Sequence, residues 1–481
     1  MNENFDVVVV GCGVAGLSAA VSAAQADLNV CVLERATRDE RGGQSRYTEA
    51  YLRMKSHTEV SDDFEEHLAV HSGKYLDPDL TAEMALDPAS WSQTTRSLAV
   101  ADADTLDAFA THVPTAIGWL GDIGVRFDFL PTQFLTSAQP RLLPVGGGAA
   151  IVEALATRAE ALGVSFQYEC TARDLMLDSA GAAAGVVAWQ NGVGLRRFAG
   201  AVVLASGGFE GNPEMLARYL GPRAVNLRPV CKGGYYNKGE GIAMALRAGA
   251  APCGEFGSYH AEPVDPRSGV SEPSIFIFPY GILVNRRGER FTDEAPGTVD
   301  AWYERVTRRI YEQDDGIAYV ILDQRVKDIP NYKLAIRTDQ PAIEAPTLEA
   351  LAAQLELPAE RLMRTVADYN AACHEGRYDP LVADGLSTAA LEPRKSNWAL
   401  PVNLGPYFAY PIISANVFTF GGLKVDGTAR VLNTDGAPIP GLYAAGETVG
   451  MYYTNYTGAT SVLKGIVFGK LAGEAIAQTF Q

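Results

Sequence analysis

The chain has 481 residues, 47% of them hydrophobic and 20% charged, which is typical of a soluble globular protein with two domains. Its net charge of −17 argues against a nucleic-acid partner, because phosphate binding requires a basic face. No apolar run approaches the roughly 18 residues of a membrane span, so no stable membrane insertion is expected.

The first strand and the cysteines predict a cytoplasmic protein that holds no metal. The buried strand FDVVVV starts at Phe5, which leaves no room for a signal peptide. The six cysteines are scattered and form no C-x-x-C pair. This fits a reducing compartment and argues against zinc or a disulfide framework.

Predicted elements from both ends of the chain belong to one α/β sheet. FDVVVV (5–10), a glycine turn, a helix and the strand LNVCVLE (28–34) form a βαβ unit. AVVLASGG (201–208) and GLYAAGE (441–447) predict two further buried strands, each ending in a glycine turn. Residues 226–400 contain short strands, proline-rich connections and helices, which predict an inserted second domain.

The first glycine turn predicts a dinucleotide site. Gly11, Gly13 and Gly16 form G-x-G-x-x-G between strand and helix. They permit a tight turn, close approach of a pyrophosphate and close helix–strand packing, and the helix N-terminus favours phosphate. Glu34 ends the second strand, where its carboxylate is expected to accept hydrogen bonds from ribose hydroxyls.

Three further stretches favour FAD over NAD. RGGQSRYTEA (41–50) offers amides and hydroxyls to a pyrophosphate and a flavin ring, and LASGGF (204–209) and GLYAAGETVG (441–450) add two glycine turns. A single G-x-G-x-x-G leaves no separate NAD(P)H domain, so the electrons pass between the substrate and a separate acceptor or donor. No histidine stands beside the GGQS loop, which favours noncovalent FAD. The expected FAD-binding residues are Gly11, Gly13, Val14, Ala15, Gly16, Glu34, Arg35, Gly42, Gly43, Gln44, Ser45, Ala205, Ser206, Gly207, Gly446, Glu447, Ser461, Val462 and Leu463.

Long stretches of the chain follow a family pattern, among them GCGVAGLSAA, GGQSRYTEAYLRM, LASGGFEGNPEMLARYLGP, VNRRGERFTDE and GLYAAGE. In these the chain resembles the fumarate reductase/succinate dehydrogenase flavoprotein superfamily, and most of all its soluble, tricarballylate dehydrogenase-like branch. The resemblance implies a Rossmann-like FAD-binding domain of the GR2 type in two parts, 1–225 and 401–481, with an α+β capping domain at 226–400. The implied reaction moves hydrogen across a C–C bond α,β to a carboxylate or ketone, with the small-molecule substrate between cap and flavin.

The chain departs from the fumarate reductases at three expected substrate contacts. Those enzymes have an arginine shortly after the G-x-R-F motif, where this chain has Gly297 and Thr298. They have a histidine at the position of Phe418, and an arginine near the position of Tyr456 in the turn YYTNYTGATS (452–461). Because tyrosine cannot replace the charged, bidentate arginine, the sequence argues against fumarate reduction.

The tyrosine-rich turn supplies candidates for acid–base chemistry. The related 3-ketosteroid dehydrogenases use tyrosines as base and as carbonyl-polarising acid, which makes Tyr452, Tyr453 and Tyr456 catalytic candidates. An ordinary tyrosine pKa near 10 would have to be lowered by a neighbouring cation; the alternative is that these rings only pack against flavin and cap. His260, as a proton carrier, and Arg46, as a carboxylate partner, complete the catalytic candidates.

Six residues are expected at the substrate, and two of them have a structural alternative. For Arg46 the alternative is a contact with the FAD pyrophosphate or with an acidic neighbour. For His260 the alternative is a half-buried histidine of the cap without a role in the reaction. Arg290 and Glu294 are expected to form a structural pair within the cap. The expected substrate residues are Arg46, Tyr47, Arg141, His260, Phe418 and Tyr456.

Three reactions compete on this reading. The leading hypothesis is dehydrogenation of a small carboxylic or polycarboxylic acid such as tricarballylate, with the retained cations as carboxylate contacts. The second is the same chemistry on an apolar ketone, as in 3-ketosteroid dehydrogenases, which the lost arginines favour. The third is an enoate reductase that uses an external electron donor.

Overall fold

The computed structural model describes residues 3–64, 77–98, 100, 103–130 and 141–480. The strands in this part of the chain are β1 (Glu3–Val10), β2 (Val30–Leu33), β3 (Phe127–Leu130), β4 (Arg141–Pro144), β5 (Ser165–Gln167), β6 (Cys170–Leu177), β7 (Ala183–Gln190), β8 (Gly194–Leu204), β9 (Arg228–Pro229), β10 (Pro252–Cys253), β11 (Tyr259–Val264), β12 (Ile282–Val284), β13 (Ile317–Leu322), β14 (Ile343–Ala345), β15 (Tyr407–Thr419), β16 (Gly422–Leu423), β17 (Arg430–Leu432) and β18 (Pro438–Ala444). The helices are α1 (Val14–Gln25), α2 (Pro78–Met84), α3 (Gln93–Arg96), α4 (Ala103–Ile123), α5 (Gly147–Ala161), α6 (Pro213–Leu220), α7 (Glu240–Arg247), α8 (Val299–Tyr311), α9 (Leu348–Gln354), α10 (Ala359–Ala372) and α11 (Ser461–Thr479).

The first sheet gathers strands from both ends of the chain, as expected. Its order is β17-β18-β8-β1-β2-β5, and β6 and β7 extend it from β8. β1, β2, β5, β8 and β18 run parallel. Val10 is level with Leu33 and Leu204, and Leu204 is level with Ala444. The carboxyl ends of four strands therefore meet at one edge, which is where ligands bind in open parallel sheets.

The first and last α-helices of the described chain, α1 and α11, pack against each other beside this sheet. α11 packs along α1 through small residues, because a Cβ at Gly469 would lie 2.3 Å from the carbonyl oxygen of Ala15. A Cβ at Gly473 would likewise lie 2.7 Å from the carbonyl oxygen of Ala19. The two backbones can approach this closely only because α11 has glycine at these two positions, and this contact fixes α11 against α1.

The second sheet lies in the part of the chain where an inserted domain was expected. Its order is β11-β15-β13-β12, and β9 and β14 also pair with β15. The central strand β15 starts after residue 401, where the sequence predicted the first domain to resume. It belongs to the second sheet because it pairs with β11 along one edge and β13 along the other, and nearly all of its residues are buried. The α/β fold class is confirmed, and the domain boundaries stay predictions.

The second sheet also delivers side chains to the first. β15 ends at Thr419, whose amide nitrogen donates to Glu447 at 2.7 Å in the turn after β18. α8 packs on β11 and β15 from the other side. Across the described part of the chain, no helix is both long and apolar enough to cross a membrane.

Candidate active site

A long cleft opens at the edge where the four parallel strands end. It encloses about 1270 Å³ when the open space at its mouth is included. Every expected cofactor residue lines it except Gly16 and Leu463. Gly16 serves packing, because a Cβ there would lie 2.0 Å from the Gly11 carbonyl oxygen. Leu463 is fully buried in the core.

The first glycine turn forms part of the cleft wall. Gly11 has a φ of 106°, and a Cβ there would lie 2.3 Å from the carbonyl oxygen of Ala205. Only glycine fits this backbone. The Val14 amide at the start of α1 donates to Ser45 Oγ at 3.2 Å, which ties the first turn to the GGQS loop. The Glu34 carboxylate accepts the Cys12 amide at 2.8 Å, and burial raises the pKa of Glu34.

Phe418 lines the cleft and packs among rings that we call the ring cluster: His260, Tyr303, Phe418, Tyr452 and Tyr456. His260 faces Phe418 across the β11–β15 pair, and Phe418 also lines the cleft. The ring centroids of His260 and Tyr456 are 4.5 Å apart, and those of Phe418 and Tyr456 are 4.9 Å apart. Such offset contacts are favourable for aromatic rings, so the cluster is a packed apolar wall.

His260 is held at both ring nitrogens by residues of α8. Nε2 lies 3.2 Å from the Tyr303 hydroxyl, and Nδ1 lies 3.4 Å from the Glu304 carboxylate. Arg308 pairs with the same carboxylate at 2.9 Å. Burial opposes the charge of Glu304, but its contacts with His260 and Arg308 lower its pKa overall. Tyr303 and His260 Nε2 can therefore share a proton, while His260 Nδ1 lies at ion-pair distance from Glu304 without a hydrogen-bond partner among the described residues.

Tyr303 was missed by sequence reasoning, although its hydroxyl contacts the predicted histidine. Burial, and after it the carboxylates of Glu262 and Glu304, raise the pKa of Tyr303 well above its ordinary value. Tyr303 and Tyr456 keep some accessible surface, so they are not sealed into the core. The one available signal was the spacing of Tyr303 and Glu304 on an amphipathic helix, which is also typical of ordinary packing.

Two tyrosines of the predicted catalytic turn have hydroxyls bound within the protein. Tyr452 is 2% exposed, and its hydroxyl lies 2.9 Å from Thr460 Oγ1. Burial raises its pKa well above the ordinary value, and its hydroxyl contacts a threonine, which cannot take up its proton. The Tyr453 hydroxyl accepts the Gly254 amide at 2.8 Å, at the turn after β10. Tyr453 therefore does not join the ring cluster.

Tyr456 joins the ring cluster to the start of α11. Its oxygen accepts the amides of Thr460 and Ser461, each at 3.0 Å, and its hydroxyl donates to Ser461 Oγ at 3.0 Å. The phenol thus satisfies amides that a helix N-terminus leaves free. The ring face contacts His260, while the oxygen serves the helix that lines the cleft.

The structure does not bring the other predicted substrate residues to the ring cluster. The Arg46 guanidinium pairs with Glu153 of α5 at 2.5 Å, which is the acidic-neighbour alternative. Tyr47 packs against Val230 and Cys231, at the other side of the GGQS loop. The side chain of Arg141 lies outside the described part of the chain. The catalytic and substrate roles of these residues stay predictions.

Comparison with known proteins agrees with this geometry. A sequence model described as the FAD binding domain matches residues 6–463. The chain belongs to this FAD-binding family. It is 28% identical to the vinyl phenol reductase of Lactiplantibacillus plantarum, over 93% of this chain and 90% of that protein. It is 32% identical to the 4-oxocyclohexanecarboxylate 2-dehydrogenase of Sinomonas cyclohexanicum, over 58% of this chain but only 51% of that protein.

A solved relative supports the fold over nearly the whole length. The crystal structure of 3-ketosteroid-Δ4-(5α)-dehydrogenase from Rhodococcus jostii RHA1, in complex with 4-androstene-3,17-dione, superposes with a TM-score of 0.70 at 26% identity. It covers 98% of this chain and 97% of that one. The expected superfamily and the Rossmann-like FAD fold are confirmed. The chain is an FAD-dependent oxidoreductase that acts on C–C bonds.

The residues of the cleft fit FAD. The buried Ser206 Oγ lines the cleft and has no hydrogen-bond partner among the described residues. Buried hydroxyls are normally satisfied, so this atom is suited to a ligand oxygen or nitrogen. Gln44, Glu447 and Val462 also line the cleft, where amides and a carboxylate can hold the polar edge of a flavin ring.

Two more ionisable side chains of the FAD cleft were missed by sequence reasoning. Glu272 lines the cleft at a strained backbone φ of 49°, and its carboxyl has no hydrogen-bond partner among the described residues. Burial, then the carboxylates of Glu262 and Glu49, raise the pKa of Glu272 well above its ordinary value. Lys464, on α11, also lines the cleft, and burial lowers its pKa to about 8.

Proposed function

We propose that this enzyme moves a hydride and a proton between FAD and a C–C bond of an uncharged ring compound. The bond lies next to a ketone or is conjugated to a phenol ring. The observation that carries the proposal is the ring cluster, an aromatic wall that reaches the FAD cleft through Phe418 and has no free arginine among the described side chains. Bound FAD supplies the hydride chemistry, and the residues of the cluster supply binding and the proton.

The charges beside the ring cluster disfavour an anionic substrate. Arg308 is paired with Glu304 at 2.9 Å, and Arg337 is paired with Glu49 at 2.8 Å. A carboxylate substrate would have to displace one of these partners and then lie beside the buried Glu262. Each displaced carboxylate would lose its charged partner, which opposes binding of an anion. A polycarboxylic acid such as tricarballylate is therefore disfavoured, and the ketone alternative is preferred.

A neutral oxygen on the substrate finds suitable donors. The carboxyl of Glu272 has a raised pKa and so holds its proton near neutral pH, which makes it a hydrogen-bond donor without a charge. The Tyr303 hydroxyl is a second donor. Carbonyl and phenol oxygens accept such hydrogen bonds, whereas an apolar hydrocarbon would leave both groups unsatisfied.

The proton of the reaction is assigned to Tyr303 and His260. When the substrate is oxidised, the Tyr303 hydroxyl proton passes to His260 Nε2 as the Tyr303 oxygen takes the proton from the carbon next to the carbonyl, and bound FAD would accept the hydride from the neighbouring carbon. His260 Nε2 lies 3.2 Å from that oxygen, and Glu304 stabilises the charged imidazole from the other side. In reduction the same atoms move in reverse. FAD exchanges its electrons with a separate donor or acceptor, as the single G-x-G-x-x-G predicts.

Pairs of compounds that differ in charge test the proposal. Enzyme reduced under anaerobic conditions is mixed with 4-vinylphenol or with 4-hydroxycinnamate, and reoxidation of the flavin is followed by its absorbance. Oxidised enzyme is mixed with cyclohexanone, 4-oxocyclohexanecarboxylate or tricarballylate, and bleaching is followed. We expect 4-vinylphenol to react faster than 4-hydroxycinnamate, and cyclohexanone to react faster than either carboxylate. Faster reaction with the carboxylates would refute the uncharged substrate class.

Two matched variants test the proton path. Tyr303→Phe removes the hydroxyl beside His260 and should slow flavin reduction by about 10²–10⁴-fold. Tyr311→Phe, on the same helix, removes a buried hydroxyl without a partner among the described residues and should react like the wild type. Equal rates for all three proteins would place the acid–base group elsewhere, without touching the substrate class.

A further inference from the structure

Two carboxyl groups meet behind the FAD cleft, outside the ring cluster. Glu210 follows the glycine turn after β8 and is 1% exposed, while Glu447 follows β18 and lines the cleft. The side-chain amide of Asn237 donates to both, at 2.5 Å to Glu210 Oε1 and 3.3 Å to Glu447 Oε2. Two ionised carboxylates that share one amide donor would repel each other in a site with little water.

The hydrogen bonds show which carboxyl carries a proton. Glu447 accepts the Thr419 amide at 2.7 Å, the Thr419 hydroxyl at 3.1 Å and the Asn237 amide, which is the pattern of an ionised carboxylate. Glu210 Oε1 accepts two side-chain amides, from Gln44 and Asn237, each at 2.5 Å. Glu210 Oε2 is buried and receives no donor from the described residues. As a hydroxyl, that oxygen can donate to Glu447.

The groups around the pair agree with one proton and one negative charge. Burial and the neighbouring charge of Glu447 raise the pKa of Glu210 well above its ordinary value. Lys464 faces Glu447 and balances its charge. The Cys231 thiol donates to Gln44 Oε1 at 3.4 Å and stays neutral, because burial raises its pKa to about 12.

We propose that Glu210 is a positioning residue for FAD that works as a neutral carboxylic acid. It joins Gln44 of the GGQS loop, Asn237 and Glu447, three residues that line the cleft from separate parts of the chain. Ionisation of Glu210 at rising pH sets two carboxylates side by side and loosens the three contacts. Retention of FAD then weakens at alkaline pH. The inference concerns the cofactor and does not depend on the substrate class.

Three variants of the holoenzyme test the role of the proton. Glu210→Gln imitates the neutral acid, because its amide accepts with the oxygen and donates to Glu447 with the nitrogen. Glu210→Ala removes the bridge. Glu214→Gln removes an exposed carboxylate four residues further on, paired with Arg218, and is the matched control. FAD release is measured by fluorescence across neutral and alkaline pH, and the infrared band of a protonated carboxyl group is recorded for each protein.

The expected results separate a protonated bridge from a merely structural residue. Wild type and Glu214→Gln show the same protonated-carboxyl absorption, and Glu210→Gln loses the component that Glu210 contributes while that of Glu272 remains. Glu210→Ala binds FAD about tenfold more weakly or worse. The affinity of the wild type for FAD falls relative to that of Glu210→Gln by at most about tenfold per pH unit as Glu210 ionises.

Two results would overturn the proposal. One is an identical infrared band in the wild type and Glu210→Gln. The other is an identical dependence of FAD release on pH in these two proteins. If Glu210→Ala fails to fold, the comparison of wild type with Glu210→Gln still decides, because both retain the full side-chain volume.

Discussion

Lys464 offers a sharp test of the electrostatics of the FAD cleft. It lies in the first turn of α11 and is 2% exposed. Its ammonium donates to the Val449 carbonyl oxygen at 2.6 Å and lies 4.7 Å from the centre of the Tyr452 ring. Burial lowers its pKa from 10.5 to about 8, although the charge of Glu447 acts in the opposite direction.

The drop in pKa sets the size and sign of a stability effect. Between about pH 8 and pH 10.5 the unfolded chain binds a proton at Lys464 that the folded chain does not. The free energy of unfolding therefore rises with pH across this window. A difference of about 2.5 pH units corresponds to about 3 kcal/mol. Lys464→Met does not titrate, so the wild type should gain up to this amount relative to the variant between about pH 8 and 10.5.

The measurement compares the two proteins at each pH. Urea unfolding is followed by the fluorescence of released FAD at several values from pH 7 to above pH 10, and the difference in unfolding free energy is plotted against pH. Other titrating groups cancel in the difference because both proteins contain them. Leu463→Met, next to it on α11, should give a flat difference. A flat difference for Lys464→Met as well would refute the argument that Lys464 is buried with a depressed pKa.

Two further predictions concern packing and a buried ion pair, each with its own comparison. Arg290→Met should cost about 3–5 kcal/mol of stability, since Arg290 and Glu294 pair at 2.6 Å with side chains 4% and 0% exposed, and Arg290→Met/Glu294→Leu should recover much of it in thermal unfolding. If the double variant is as unstable as Arg290→Met, the pair contributes more to stability than charge balance. Gly469→Val should cost about 1–3 kcal/mol of stability or more and weaken FAD retention, because its Cβ would lie 2.3 Å from the Ala15 oxygen. Gly118→Ala on α4 is the comparison. Its Cβ would have no atom within 4 Å, so this variant should be more stable by about 0.4–1 kcal/mol.

The FAD half of the site could be predicted because its signals are local. Gly11, Gly13 and Glu34 lie within one βαβ unit, and each acts through backbone geometry or a position at a strand end. The two later glycine turns follow buried strands whose apolar runs predict a parallel sheet. Register then brings all of these ends to one edge, without further information from the sequence.

The other half could not be predicted, because its residues are defined by distant partners. Arg46 looked like a carboxylate ligand, yet Glu153 comes to it from a helix far along the chain. His260 was found as a rare histidine, but its role depends on Tyr303 and Glu304, which arrive on α8. Glu210 was overlooked, because a single glutamate in a turn has no pattern that reveals a partner such as Glu447.

The tyrosine-rich turn connects the two halves physically. One face of the Tyr456 ring contacts His260 in the ring cluster, and its oxygen holds the first amides of α11. The next residues of that helix, Val462 and Lys464, line the FAD cleft. A ligand that displaces His260 must therefore move the Tyr456 ring or lose its contact, and Tyr456 cannot move without releasing the helix amides. The tyrosine-rich turn thus makes the ring cluster and the helix that lines the FAD cleft mechanically dependent on each other.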